Sequence, residues 1–164
     1  MVCHPPKYEI ALLGATDSLV DQIISWAAER QDTGVVLVPS PRALANCAAL
    51  ARAALAVVDG TRHVGQAMDI VDAVLAQTGA GNLAFYTEVA DAGAEVFIRT
   101  RGLLYLLGPL SRPEWNEVLD ATNRRRLAAA AGPMRLAPSK ARTEFAAGFN
   151  HTSSPAPTEG PDAR

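Results

Sequence analysis

Cysteine is scarce in this 164-residue chain, which carries Cys3 and Cys47 and no others. Two such residues make no disulfide framework, and their separation excludes a local metal-binding pair. Histidine is also thin: His4, His63 and His151 are too dispersed to form a recognisable ligand set. The expectation is therefore no metal and no cofactor. No apolar run reaches the ~18–20 residues that a membrane-spanning helix requires. There is no excess of charge of one sign, since 15 basic residues face 17 acidic ones for a net charge of −2. That balance argues against nucleic acid as a partner. Residues Met1 to Lys7 hold no apolar leader core, which points to a cytoplasmic protein. What the chain does have is a 49 % hydrophobic content, enough for a real core.

That content is concentrated in five short runs. They are Ile10–Leu13, Val35–Val38, Leu55–Val58, Leu83–Tyr86 and Leu103–Leu107, each stopped by Gly, Pro, Asp or Thr. Continuous apolar runs of this length, bounded by such residues, suit strands buried on both faces. Between them, apolar residues recur three or four positions apart. Leu19, Ile23, Trp26 and Ala27 share one face of a helix for which Asp17 or Ser18 is the expected N-cap. Pro41 suits the first position of a second helix carrying Leu44, Cys47, Ala48 and Ala51. Val64, Met68, Val71 and Leu75 line a third helix, closed by Gly79. A fourth runs from Val89 and Ala92-Gly93 through Phe97. The fifth opens at Ser111-Arg112-Pro113-Glu114, which has capping-box chemistry, and continues through Trp115, Val118 and Leu119.

Strands alternating with helices predict an α/β fold with a parallel sheet and right-handed crossovers. Five of each in roughly 125 residues is flavodoxin-like in size, for which strand order 2-1-3-4-5 is usual. We expect one such domain over residues 7–131. Residues 132–164, rich in Pro, Ser, Thr and Gly, read as a flexible, largely disordered tail.

The order and spacing of three strand ends resemble the receiver (CheY-like) domain of two-component response regulators. Asp59 closes Ala56-Val57-Val58-Asp59 where a receiver has its phosphoacceptor aspartate. Thr87 ends the fourth run, where receivers keep a Ser or Thr that contacts the phosphoryl group. Tyr105-Leu106-Leu107-Gly108-Pro109-Leu110 is similar to the Tyr-Leu-x-Lys-Pro-Phe segment around the fifth strand. The resemblance covers about residues 7–131.

Three departures make it a degenerate, or pseudo-, receiver. Gly14-Ala15 stands where a receiver has the acid pair that holds magnesium, and Gly108 stands where it has lysine. The Met-Pro that follows the acceptor is absent from Asp59-Gly60-Thr61-Arg62-His63-Val64. Phosphoryl transfer to a carboxylate depends on metal and cations to offset converging negative charge. The implied function is a non-catalytic signalling or adaptor module acting by protein–protein contact, with a signalling kinase or an output protein as partner. By resemblance its interaction face is made by the fourth helix, fifth strand and fifth helix, with Val89, Tyr105 and Trp115 upon it. A homodimer is compatible with the same face.

Two alternatives stand beside this reading. One is a phosphorylation-competent receiver using Asp59. The other is a Rossmann-like nucleotide-binding protein using the Gly14-Ala15-Thr16 loop, although Asp17 replaces the next glycine of that pattern. Bland readings also apply. Asp-Gly is a strong turn signal, which favours reading Asp59 as a turn residue, solvated or leaning on Arg62 or backbone amides. On that reading its neutralisation costs little. Trp26 and Trp115 read most simply as packing residues, and Arg124-Arg125-Arg126 as a complement to the dipole of the last helix.

Overall fold

The computed structural model describes residues 6–38, 48–78 and 81–131. The chain divides into a unit of residues 1–132 and one of 133–164, and every described residue lies in the first. The expected tail, both cysteines and the Pro41 helix start fall outside the described residues.

Ten elements alternate in sequence. They are β1 (Tyr8–Leu13), α1 (Asp17–Arg30), β2 (Thr33–Val38), α2 (Ala48–Arg52), β3 (Leu55–Asp59), α3 (Val64–Thr78), β4 (Leu83–Thr87), α4 (Ala92–Thr100), β5 (Leu104–Leu107) and α5 (Arg112–Ala130). The strands form one parallel sheet in the order β2-β1-β3-β4-β5, as the apolar runs predict. Every residue of β3 and β4 is buried. Helices on both faces remove both sets of side chains from water, which is why these strands read as unbroken apolar runs rather than as alternating ones.

Two apolar layers result. On one face, Ala11, Leu13, Val58 and Phe85 meet Ala67, Val71 and Val74 of α3 and Ala94 and Ile98 of α4. On the other, Ile10, Leu12, Val57 and Tyr86 meet Leu19, Ile23 and Trp26 of α1 and Trp115, Val118 and Leu119 of α5. Each fully buried aliphatic side chain stabilises the fold by roughly 1.5–3 kcal/mol of transfer free energy. Trp115 is 1 % exposed and packs between Trp26 and Tyr86, with ring centroids 6.2 and 6.0 Å away. The packing reading of Trp115 therefore holds, and its place on an interaction face does not. A large ring on the sheet-facing side of α5 is drawn into the layer between helix and sheet.

Helix ends follow local chemistry, with three corrections. Thr16, rather than Asp17 or Ser18, caps α1, its hydroxyl accepting from the Leu19 amide. At α5 the Ser111 amide and hydroxyl both donate to the Glu114 carboxylate at 2.6 Å, holding that carboxyl below its usual pKa. Val89 precedes α4, which begins at Ala92 behind an Asp91 cap. Arg124, Arg125 and Arg126 stop short of the last turn of α5, so the dipole reading of that triplet is not met.

Strand register brings the functional candidates together. Leu13 pairs with Val38 and Val58, Asp59 with Tyr86, and Thr87 with Leu107. All the strands thus end along one edge of the sheet, and the loops leaving that edge build the site.

Candidate functional site

Asp59 occupies the carboxyl end of the central strand, where open α/β sheets place their ligand crevices. Its side chain is not in solvent, for the residue is 6 % exposed. One carboxylate oxygen, Oδ2, accepts from both the amide and the hydroxyl of Thr16, each at 2.8 Å. The other, Oδ1, accepts from the Thr61 amide at 2.8 Å. Arg62 is exposed and forms no ion pair with it. The solvated-turn reading of Asp59 is thereby corrected, and the residue is a buried anchor between the β1–α1 and β3–α3 loops. Sequence missed Thr16 as its partner because the two are 43 positions apart. Only the parallel pairing of β1 with β3 brings them together.

Gly14 explains how Thr16 gets there. Its φ is +63°, in the left-handed region that non-glycine residues disfavour. The turn at Gly14 aims the Thr16 amide at Asp59. An acidic residue at position 14 would be strained in this conformation. The same amide is the donor that a nucleotide-binding loop would present to phosphate. Here it is engaged by a carboxylate, which argues against the nucleotide reading.

From Thr61 the hydrogen bonding continues across the edge. The Thr61 hydroxyl accepts from the Glu88 amide at 3.2 Å, and the Glu88 carboxylate accepts from Ser18 Oγ at 2.8 Å and Tyr86 Oη at 3.1 Å. Gln22 donates to Tyr86 Oη at 3.3 Å and accepts from the Leu110 amide at 3.3 Å. Together with the bonds to Asp59, these contacts join the loops that follow β1, β3, β4 and β5, with Ser18 and Gln22 of α1 as links. Sequence did not show that these residues would meet, since hydrogen bonds between distant segments leave no periodic signal along the chain.

Gly108, which the resemblance sets where a receiver has lysine, is sterically closed. A Cβ added at Gly108 would overlap the Tyr86 ring and hydroxyl. Gly108 also donates its amide to the Thr87 carbonyl at 2.9 Å, which holds it against β4. Burial of Tyr86, with the Glu88 carboxylate nearby, pushes its phenol up to about 12. The neutral phenol is therefore favoured by folding, and that stabilisation is lost as pH rises from about 10 through 12. In an ultraviolet titration one tyrosine should ionise near pH 12. Tyr86→Phe should remove that step alone, and persistence of the step would show the assignment to be wrong.

Thr87 is fully buried and its hydroxyl is turned to its own loop. It donates to the Val89 carbonyl at 2.9 Å and accepts from the Val89 amide at 3.1 Å. That is a local turn, not a contact with Asp59. Tyr105 stacks on Phe85 at 5.9 Å, and its hydroxyl accepts from the Asp91 amide at 3.2 Å. Val89 is 64 % exposed and remains available to a partner.

The fit of magnesium to this site can be judged from its donors. Gly14 and Ala15 offer no carboxylate, and both oxygens of Asp59 already accept from protein donors. Hard cations of this kind are normally held by carboxylates and water oxygens. The described residues contain no grouping of three His, Cys, Asp or Glu side chains suited to a metal. The residues do not fit the ion. Asp59 and Glu88 also share the edge with no ion-pair partner among the described residues. A phosphoryl group would add charge of the same sign.

Comparison with known proteins places the fold. No family model matches the chain, and no curated protein matches it. Solved structures do. A CheY-like response regulator receiver domain protein from Methanospirillum hungatei JF-1 superposes with a TM-score of 0.59 at 13 % identity, over 74 % of this chain and 98 % of that one. An orphan response regulator of H. pylori gives 0.57 at 13 % identity, over 74 % of this chain and 100 % of that one. A putative pilus assembly-related protein from Burkholderia pseudomallei K96243 gives 0.59 at 11 % identity, over 76 % and 96 %. The chain has the CheY-like receiver fold.

Proposed function

We propose that the domain of residues 7–131 is a non-catalytic signalling or adaptor module that acts through protein–protein contact, in a pathway of the receiver type. The observation that carries this reading is the Asp59 carboxylate, held by Thr16 and Thr61 in the place where a receiver is phosphorylated. Gly14-Ala15 and Gly108 leave it without acid pair or lysine. Forming an acyl phosphate there would break buried hydrogen bonds and offer no cation to offset the new charge. The adaptor reading places partner contact on α4, β5 and α5, where Val96 and Leu107 are exposed. Two of the similar folds are described as putative pilus assembly proteins, so a component of such an assembly is a second partner class for the adaptor reading.

Incubation with acetyl phosphate and Mg²⁺ should leave the intact mass unchanged. A gain of one phosphoryl group that disappears in Asp59→Ala would overturn the non-catalytic reading. A photo-crosslinker placed at Val96 in the native host should capture a discrete protein, whereas one at Gln66 of α3 should not. Equal capture from both, or none from Val96, would overturn the assigned face.

A further inference from the structure

Between the later parts of α4 and α5 lies an open groove of about 350 Å³, lined by Arg99, Gly102, Leu103, Leu104, Tyr105 and Arg125. It is at the opposite end of β5 from the Asp59 edge. Its floor is apolar strand, its rim carries two guanidinium groups, and no acidic residue lines it. The volume is near the small end of ligand pockets, with room for one or two side chains.

The two arginines are differently placed. Arg125 donates one Nη to the Gly102 carbonyl at 2.9 Å, which pins the guanidinium beside the groove. A guanidinium has five N–H donors, so the fork that suits a carboxylate remains to be filled. Arg99 contacts Glu95 at 2.8 Å, but the two side chains are 66 % and 42 % exposed. An ion pair so open to water contributes little and yields readily to a competing carboxylate. Arg101, by contrast, turns away to Asp72 and lies over the Phe97 ring. Val96, one turn before Arg99 on the outer face of α4, is 63 % exposed and supplies apolar surface beside the charges.

We propose that this groove docks an acidic segment of a partner protein, seating a carboxylate between Arg99 and Arg125 and an apolar side chain against Val96 and Tyr105. This rests on the adaptor reading above and gives it a partner chemistry. Charge complementarity selects the occupant. The groove presents two cations and no acid of its own, and of the two only Arg99 has a carboxylate partner among the described residues, the exposed Glu95 on α4. A second copy of the chain docking about a two-fold axis here would set Arg99 and Arg125 against their own equivalents. Like charges so placed disfavour that pairing and favour a segment of opposite sign.

The test uses the full ¹⁵N-labelled chain and a blocked hexapeptide, Glu-Leu-Glu-Asp-Leu-Glu. Its neutral isostere, Gln-Leu-Gln-Asn-Leu-Gln, is the control. The acidic peptide should shift the amides of Gly102, Tyr105 and Arg125 in a saturable way, and the isostere should not. The double variant Arg99→Glu/Arg125→Glu should weaken binding by about tenfold or more, as expected for reversed charges at a contact. Arg101→Glu should leave it unchanged, and retained peak dispersion shows that each variant is folded. Shifts from both peptides alike, shifts located elsewhere, no shift up to the solubility limit, or binding unaltered by the double variant would each overturn the proposal. If the Val96 crosslinker still captures its protein in the double variant, the adaptor reading survives and only the acidic occupant fails. If Val96 captures nothing in the wild-type chain, the failure lies in the adaptor reading itself.

Discussion

Asp59→Asn is expected to lower the free energy of unfolding by about 2–3 kcal/mol at neutral pH, the scale of a hydrogen bond to a charged group together with a buried donor left unpaired. From sequence alone the same substitution looks neutral, because an Asp-Gly turn implies a solvated carboxylate. The buried geometry reverses the expectation. The two oxygens of Asp59 accept from two fixed amides and one hydroxyl, and an asparagine has only one oxygen to offer. With that oxygen facing Thr16, the new NH₂ group meets the Thr61 amide, donor against donor. With the amide reversed, it meets the Thr16 amide instead. The Thr16 hydroxyl can rotate away, but neither backbone N–H can. Urea titration of both proteins measures the difference. Thr16→Ser should retain most of the wild-type stability, and Thr16→Val should reproduce part of the loss. A difference below about 0.5 kcal/mol, the range of surface substitutions, would show that the carboxylate contributes no more than an exposed one.

The second large effect is expected at Gly108. Restoring lysine there makes the sequence more like a receiver, yet it should destabilise the domain by about 3 kcal/mol, at the upper end of overpacking penalties. Any Cβ at that position overlaps the end of the Tyr86 side chain. Neither partner has an easy escape. Tyr86 is fully buried, stacked on Trp115, and hydrogen-bonded to Glu88 and Gln22. Gly108 is tied to the Thr87 carbonyl. Tyr86→Leu shortens the side chain and opens the space, so the double variant should recover part of the cost. Contacting residues in such cycles couple by about 0.5–3 kcal/mol. Strict additivity between Gly108→Lys and Tyr86→Leu would mean that the clash is relieved elsewhere. If the proposed non-catalytic reading holds, Gly108→Lys should still take up no phosphate, since Gly14-Ala15 offer no carboxylate for a metal ion.

These two sites show where sequence and tertiary structure each have authority. The five strands were legible because β3 and β4 are buried on both faces, and nothing but a continuous apolar run can fill such positions. The start of α5 was legible because Ser111 and Glu114 are three residues apart, within reach of each other in any helix. The places of Gly14, Asp59 and Gly108 at the carboxyl ends of β1, β3 and β5 were visible too.

What those residues do was decided only by packing. Asp59 became an anchor because β1 lies beside β3 and the left-handed turn at Gly14 delivers Thr16 to it. Gly108 is confined because Tyr86, on the neighbouring strand β4, fills the space that a side chain there would need. Trp115 left the surface because its face of α5 lies against the sheet and α1. Local spacing specifies elements, since the interactions that form them reach three or four residues. A network joining Thr16, Asp59, Thr61, Glu88 and Tyr86 spans the three loops that follow β1, β3 and β4, and no periodicity along the chain encodes which of those loops will meet.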